Sequence, residues 1–215
     1  MKIIKPSGNR IILIRHGETE WNQLHRFQGR SDIPLNQKGN EQACALALAL
    51  KNETIMAIHS SPLVRAIETA SHIGKFHPST PLIKESGLIE MDLGDFEGME
   101  AQHWALQHQD FRKTWEKDPA NLSMPGGESL QEVQHRAVDT LNRISELYAP
   151  GCTLLICSHN FVIISLLCFA SKILLDQFRE LRQDTAALNI LYKDGTDFQV
   201  EKVNDRRHLQ EFLQN

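Results

Sequence analysis

An arginine and a histidine stand side by side at positions 15 and 16 of this 215-residue chain, after an apolar run and directly before Gly17. Arginine is a permanent cation whose planar fork of donors suits phosphate oxygens. Histidine is the side chain that can be neutral and nucleophilic at working pH. Carried by Ile11-Ile12-Leu13-Ile14 into a glycine turn, Arg15 and His16 suit phosphoryl chemistry in which the imidazole attacks phosphorus. Other candidates lie far along the chain. Arg65 follows Ser60-Ser61-Pro62-Leu63-Val64, and His159-Asn160 follows Ser158. Taken singly, Arg65 reads as an exposed helix arginine and His159 as a satisfied core histidine. Their joint placement after apolar runs argues for a shared pocket.

The elements that must position these groups alternate in type. Residues 10–15 read as a buried strand, 37–51 as an alanine- and leucine-rich helix, and 55–59 as a short strand. Ser61 reads as an N-cap with Pro62 in the first helical position, opening a helix to about Gly74. Residues 82–89 read as a strand broken around Lys84-Glu85-Ser86. Residues 97–118 read as short helices anchored by Trp104, Phe111 and Trp115, and 121–127 as a loop. Ser129 and Glu132 form a capping box for a helix with Leu130, Val133, Ala137, Leu141, Ile144 and Tyr148 on one stripe. A strand at 153–157 and a buried helix at 161–170 follow. Closing strands at 187–192 and 198–203 flank a hairpin across Lys193-Asp194-Gly195, and a short helix falls at 207–213. The fold class is α/β, with three layers and a mostly parallel sheet covered by helices on both faces. Such sheets bind ligands beyond the carboxyl ends of their strands, where all the candidates fall.

Bulk properties narrow the partners. A net charge of −4 with scattered basic residues offers no footprint for nucleic acid. Cys44, Cys152, Cys157 and Cys168 show neither CxxC nor zinc-type spacing, so reduced thiols in the cytoplasm and no metal are expected. Met1-Lys2-Ile3-Ile4-Lys5-Pro6 is too short and broken for a secretory signal. The run from Leu154 to Ala170 is cut by Ser158, His159 and Asn160 into pieces too short to span a membrane. No GxxxxGK[ST] or GxGxxG occurs, so no nucleotide cofactor is expected. Neither a nucleic-acid nor a membrane partner is expected, and the residues do not speak to oligomeric state.

Several segments together resemble a known family. Arg15-His16-Gly17-Glu18-Thr19-Glu20-Trp21-Asn22, Arg26-Phe27-Gln28-Gly29 and Asp32-Ile33-Pro34-Leu35 resemble the signature of the histidine phosphatase superfamily, which includes the phosphoglycerate mutases. Ser61 to Ala70 resembles its second signature, whose arginine binds phosphate. Leu88 to Gly98 resembles the segment that supplies the acid, and Cys157-Ser158-His159 the segment with the second histidine. The resemblance implies a phosphoglycerate mutase-like fold, as one domain over 1–215 with a cap at about 96–127. It makes His16 the nucleophile of a phosphohistidine intermediate, with Arg15, Arg65 and His159 around the transferring group. It favours Glu90 as the acid; by composition alone Asp92, Asp95 and Glu97 compete equally. It also places Asn22, Gln28 and Gly29 against substrate or phosphate.

Two residues depart from the pattern. Asn160 stands where glycine most often follows the second histidine, with its N–H still available to phosphate, and Phe96 stands where tryptophan is common. The segment Glu90 to Gly98 resembles the phosphatase branch, so the expected activity is metal-independent phosphomonoester hydrolysis. A phosphoglycerate mutase is the alternative. An inactive binding module is disfavoured because nucleophile and acid are both present. Specificity is expected from 96–125 and 22–34, with Arg26, Arg30, Arg112 and Lys113 available to a second anionic group. Pro125 to Ser129 reads either as a rim of the site or as a glycine turn before a capped helix.

Overall fold

The computed structural model describes residues 8–213, so the Met1–Pro6 stretch lies outside the described residues. In chain order the elements are β1 (Asn9–Arg15), α1 (Glu20–Gln23), α2 (Gln37–Leu50), β2 (Ala57–Ser60), α3 (Val64–Gly74) and β3 (Leu82–Lys84). Short 3-10 turns at Ser86–Leu88 and Gly94–Phe96 lead to α4 (Ala101–Gln107), α5 (Gln109–Lys117) and α6 (Leu130–Glu146). Then come β4 (Thr153–Ser158), α7 (Asn160–Ser171), a 3-10 turn at Leu175–Glu180, β5 (Leu188–Asp194), β6 (Asp197–Asp205) and α8 (Arg207–Leu213).

The strands form one sheet in the order β3-β2-β4-β1-β5-β6. The first four are mutually parallel; β5 runs antiparallel to β1, and β6 antiparallel to β5. The expected mostly parallel α/β architecture is present. Its cause is visible along β1, where alternate side chains leave opposite faces. Ile11 and Leu13 join a core with Leu130, Val133 and Ala137 of α6 and Val162 and Leu166 of α7. Ile12 and Ile14 join a second core with Leu46 of α2 and Ala66 and Ile73 of α3. A strand apolar on both faces is what a sheet between two helical layers requires.

Several local expectations shift. Ser61 does not cap α3 and Pro62 does not open it: Leu63 is the N-cap residue, Val64 the first helical one, and Val64 N–H donates to Asp32 Oδ1 at 2.6 Å. The serine hydroxyl is claimed by His159 instead. Tyr148 lies beyond the end of α6, and its hydroxyl meets His59 Nε2 at 3.0 Å. The strand expected to 89 ends at Lys84, and Lys193 and Asp194 belong to β5, leaving residues 195–196 as the hairpin turn. The Ser129–Glu132 capping box forms as read. Leu154 to Ala170 divides into β4 and α7, and no helix among the described residues is long and apolar enough to cross a membrane.

One packing contact fixes the turn after His16. Gly17 and Gly39 approach so closely that a Cβ on Gly39 would stand 2.0 Å from the Glu18 carbonyl oxygen, and one on Gly17 2.5 Å from that of Gly39. Alanine normally stabilises a helix relative to glycine. Gly39→Ala is nevertheless expected to cost about 1–3 kcal/mol, because backbone cannot give way as a flexible side chain can. Chemical denaturation measures this, and a stabilised variant would contradict the reading.

Candidate active site

Strand order brings the candidates together. β4 lies between β1 and β2, with Arg15 in register with Ser158 and Ser60 with Cys157. His16 N–H donates to the Ser158 carbonyl at 3.0 Å and Ser61 N–H to that of Cys157 at 2.9 Å. Three neighbouring strand ends therefore deliver Arg15-His16, Ser61 and Ser158-His159 at one edge. The Gly17 turn is held by its N–H to Thr69 Oγ1 at 3.1 Å, on α3, the helix that carries Arg65.

His16 is buried, and its Nδ1 lies 2.7 Å from the Gly17 carbonyl oxygen. A carbonyl only accepts, so Nδ1 carries the proton and Nε2 keeps its lone pair. Arg65 Nε stands 3.3 Å from that Nε2. Burial, then the Arg65 and Arg15 charges, hold the imidazole well below its ordinary 6.5 despite the Gly17 bond. The side chain is neutral, with its unprotonated nitrogen facing the Arg65 guanidinium.

His159 occupies the N-cap position of α7, its ring centroid 5.1 Å from that of His16. Its Nε2 meets Ser61 Oγ at 2.6 Å, and its buried Nδ1 has no partner. Burial and the neighbouring Arg65 hold it, too, well below 6.5. With the Ser61 hydroxyl donating to Nε2, a neutral His159 presents Nδ1–H as a donor. Arg15 spends Nη1 on the Gln183 carbonyl and on Asn160 Oδ1, the latter at 3.4 Å, while its buried Nε is unpartnered. Asn160 thus places its side chain on Arg15.

Arg65 is fully buried, donating through Nη1 to the Ser31 carbonyl at 2.8 Å and through Nη2 to that of Gly29 at 2.7 Å. Burial pulls it down to about 10, with Glu90, Asp32 and Glu97 opposing, so it remains a cation at neutral pH. With its amide oxygen toward the guanidinium, Gln28 accepts from Arg65 Nη1 at 3.2 Å and Nε at 3.1 Å. Gln28 therefore touches the Arg65 guanidinium. Asn22 spends its side-chain oxygen on Thr19, in the capping box of α1. The Gly29 N–H is committed to Glu97 at 2.9 Å.

The structure separates the four acids of the 90–97 segment. Glu90 is 3% exposed, and the charges it senses are Arg65 and Arg15. Burial raises its carboxyl above the ordinary 4.5, against the Met91 N–H, Arg65, Arg15 and the Phe161 N–H. Asp92 is paired with Arg30 at 3.0 Å, and Asp95 is exposed.

Glu97 does something that its composition did not announce. Its carboxylate accepts from the N–H groups of Gly29, Arg30 and Ser31, while Arg65 grips the Gly29 and Ser31 carbonyls from the other side. The loop 29–31 bridges a carboxylate and a guanidinium. Glu97→Ala is expected to loosen Arg65 and weaken inhibition by inorganic phosphate roughly ten-fold, the scale of one charge-assisted bond. Steady-state inhibition measures this; an unchanged inhibition constant would contradict it.

The basic residues expected to meet a second anion all have acidic partners: Arg26 pairs with Glu100, Arg30 with Asp92 and Glu128, Arg112 with Glu116, and Lys113 with Asp110. Residues 125–128 are fastened to the acid segment through Asp95 N–H to the Pro125 carbonyl and Glu128 N–H to the Asp92 carbonyl. Gly126 takes a positive φ of 71° in this turn, which leads into the capped start of α6. Among the described residues, no group of three His, Cys, Asp or Glu is placed to hold a metal ion.

A family model for the histidine phosphatase superfamily (branch 1) matches residues 11–206, an interval that contains every residue of this pocket. The chain belongs to the histidine phosphatase superfamily. Within it, the chain is 32% identical over 204 residues to phosphoserine phosphatase 1 of Hydrogenobacter thermophilus, covering 94% of this chain and 95% of that one. It is 34% identical over 207 residues to the probable phosphoglycerate mutase GpmB of Cronobacter sakazakii, covering 93% and 94%. The solved structure of Bacillus stearothermophilus YhfR superposes with a TM-score of 0.85 at 29% identity, covering 94% of this chain and 99% of that one. This histidine phosphatase thus keeps the superfamily's fold along nearly its whole length.

Proposed function

We propose that this chain hydrolyses small-metabolite phosphomonoesters through a covalent phosphohistidine on His16. The observation that carries the reading is a pair of buried, unpartnered nitrogens, Arg15 Nε and His159 Nδ1, beside a neutral imidazole whose Nε2 holds its lone pair toward the Arg65 guanidinium. Buried polar atoms without partners are costly, and a phosphoryl group satisfies both at once. In the first step His16 Nε2 forms a bond to phosphorus while the ester P–O bond breaks. Glu90, whose carboxyl burial raises above 4.5, gives its proton to the departing alkoxide. In the second step the Glu90 carboxylate takes a proton from water, whose oxygen displaces His16 and releases inorganic phosphate. Arg15, Arg65 and His159 stabilise the charge spread over the equatorial oxygens. The two guanidinium cations and the neutral His159 donor supply what a metal supplies elsewhere, so EDTA is expected to leave turnover unchanged.

Residues 96–127, with α4 and α5, are proposed as the cap, and Asn22, Gln28, Gly29 and Asn160 as the groups lining the substrate's approach. The similarity to a phosphoserine phosphatase supports hydrolysis. The similarity to a probable phosphoglycerate mutase supports the second reading, phosphoryl transfer between hydroxyls. Assaying phosphoserine and 3-phosphoglycerate with EDTA separates them. Net phosphate release supports hydrolysis; isomerised phosphoglycerate without release supports transfer. The four cysteines are free, which fits the cytoplasm as the working compartment.

The pH dependence of kcat/KM follows from the two shifts. Activity needs His16 unprotonated, a form lost as pH falls through a value lowered below 6.5. It needs Glu90 protonated, a form lost as pH rises through a value raised above 4.5. The expected profile is a bell whose acidic limb lies below 6.5 and whose basic limb lies above 4.5. A rate still climbing through alkaline pH would contradict these protonation states.

A further inference from the structure

Arg136, on α6, is far in sequence from the site and takes no part in the steps above. Its guanidinium is nonetheless fully engaged beside the proposed acid. Nη1 donates to the carbonyls of Gly87 at 2.9 Å and Ile89 at 2.6 Å, and Nη2 donates to the Glu90 carbonyl at 3.1 Å. Nε and Nη2 also donate to the two Glu128 oxygens, at 2.9 and 3.0 Å. A guanidinium has five N–H donors, and here each has an acceptor.

Three of those acceptors are main-chain carbonyls of residues 87–90, the stretch that ends at the acid. Glu128 completes the clamp from the other side. It accepts the Asp92 N–H at 2.9 Å and pairs with Arg30 at 3.2 Å, and Arg30 in turn pairs with Asp92 at 3.0 Å. The residues on both sides of Glu90 are therefore tied to one Arg136–Glu128 unit, with both partners mostly shielded (side chains 21% and 16% exposed). No ordinary helix or strand holds this segment, because its only regular structure is a 3-10 turn of three residues.

We propose that Arg136 is the positioning residue of the general acid: its saturated guanidinium, with Glu128, fixes the backbone of 87–92 and so sets where the Glu90 carboxyl stands relative to His16. The proposal rests on the reading of Glu90 as proton donor. Proton transfer is effective only at hydrogen-bond reach, so loosening this backbone removes acid catalysis while leaving the phosphate donors in place. Lysine cannot substitute. It keeps the charge, but its single nitrogen cannot reach three carbonyls and a carboxylate in one plane.

The test exploits the leaving group. Arg136→Lys, Glu128→Gln and Glu90→Gln are compared on glycerol 2-phosphate, whose alkoxide must be protonated, and 4-nitrophenyl phosphate, whose phenolate departs without a proton. kcat/KM is used because it ends with the first irreversible transfer and excludes breakdown of the phosphoenzyme. For Arg136→Lys the expected loss is about ten-fold or more on glycerol 2-phosphate and below about three-fold on the aryl ester, as partial loss of a general acid requires. Glu128→Gln is expected to shift the ratio in the same direction. The ratio of the two substrates does not depend on the folded fraction, so a partly unfolded variant still decides. Equal losses on both substrates for Arg136→Lys, with a selective loss for Glu90→Gln, would overturn the proposal and leave the acid assignment standing. Equal losses for Glu90→Gln would overturn both.

Discussion

His16→Ala is expected to lower kcat for every phosphomonoester by about four orders of magnitude or more, because the variant has no nucleophile to form the covalent intermediate. No neighbour can substitute. His159, the other imidazole in the pocket, is held by Ser61 through Nε2 at 2.6 Å, and its remaining nitrogen is placed to donate. Water could attack only against the barrier that the two-step route divides. Binding should survive. Arg15, Arg65 and His159 remain, and losing the imidazole removes the acceptor that Arg65 Nε now faces at 3.3 Å. Inorganic phosphate should therefore bind His16→Ala within about three-fold of the unmodified chain, a difference of under 1 kcal/mol. Phosphate release under single-turnover conditions and calorimetric phosphate titration check the two halves. A kcat reduced only about ten-fold would mean that the imidazole orients rather than reacts.

Glu90→Gln carries the second large effect, a loss of about 10²–10⁴-fold in kcat/KM on alkyl phosphates, the range for a general acid. Glutamine preserves volume and can still accept the Met91 N–H, now at 2.9 Å from Glu90 Oε1, so the loss is chemical rather than architectural. The basic limb of the pH profile should vanish with it. Stability should move the other way. The folded carboxyl titrates above its ordinary 4.5, so its stabilising contribution is complete below 4.5 and lost as pH rises through the folded value. Above that value the native chain carries a buried charge that the amide lacks. Glu90→Gln is therefore expected to raise Tm near neutral pH, with the gain closing below 4.5. A lowered Tm at neutral pH would mean that Arg15 and Arg65 outweigh the burial.

What the sequence disclosed about the site was what repeats along the chain or sits beside a strand end. The both-faces-apolar β1, the strand-end placement of Arg15, His16 and His159, and the Ser129–Glu132 box are local patterns and read directly. The roles that escaped are carried by partners distant in sequence. Ser61 followed by proline has the local form of a helix cap, yet its hydroxyl is taken by His159, 98 residues away. Glu97 looked like one acid among several until its carboxylate met the amides of 29–31, more than 60 residues earlier. Arg136 sits on a helix where an arginine ordinarily faces water, and only its 46–49-residue reach to the Gly87–Glu90 carbonyls gives it a task. Tyr148 continued the helical stripe in sequence, but α6 ends first and the phenol turns to His59.

The claim on which the rest depends is the bond between phosphorus and His16. Mixing the enzyme with excess phosphomonoester, quenching in base within milliseconds, and sequencing the peptides by mass spectrometry tests it directly, since phosphohistidine survives base. The account predicts one added phosphoryl group on the peptide containing Arg15-His16, localised to His16 and discharged to phosphate on a chase. A label on another residue, or turnover with no phosphoenzyme and inversion at a chiral phosphorus, would contradict it.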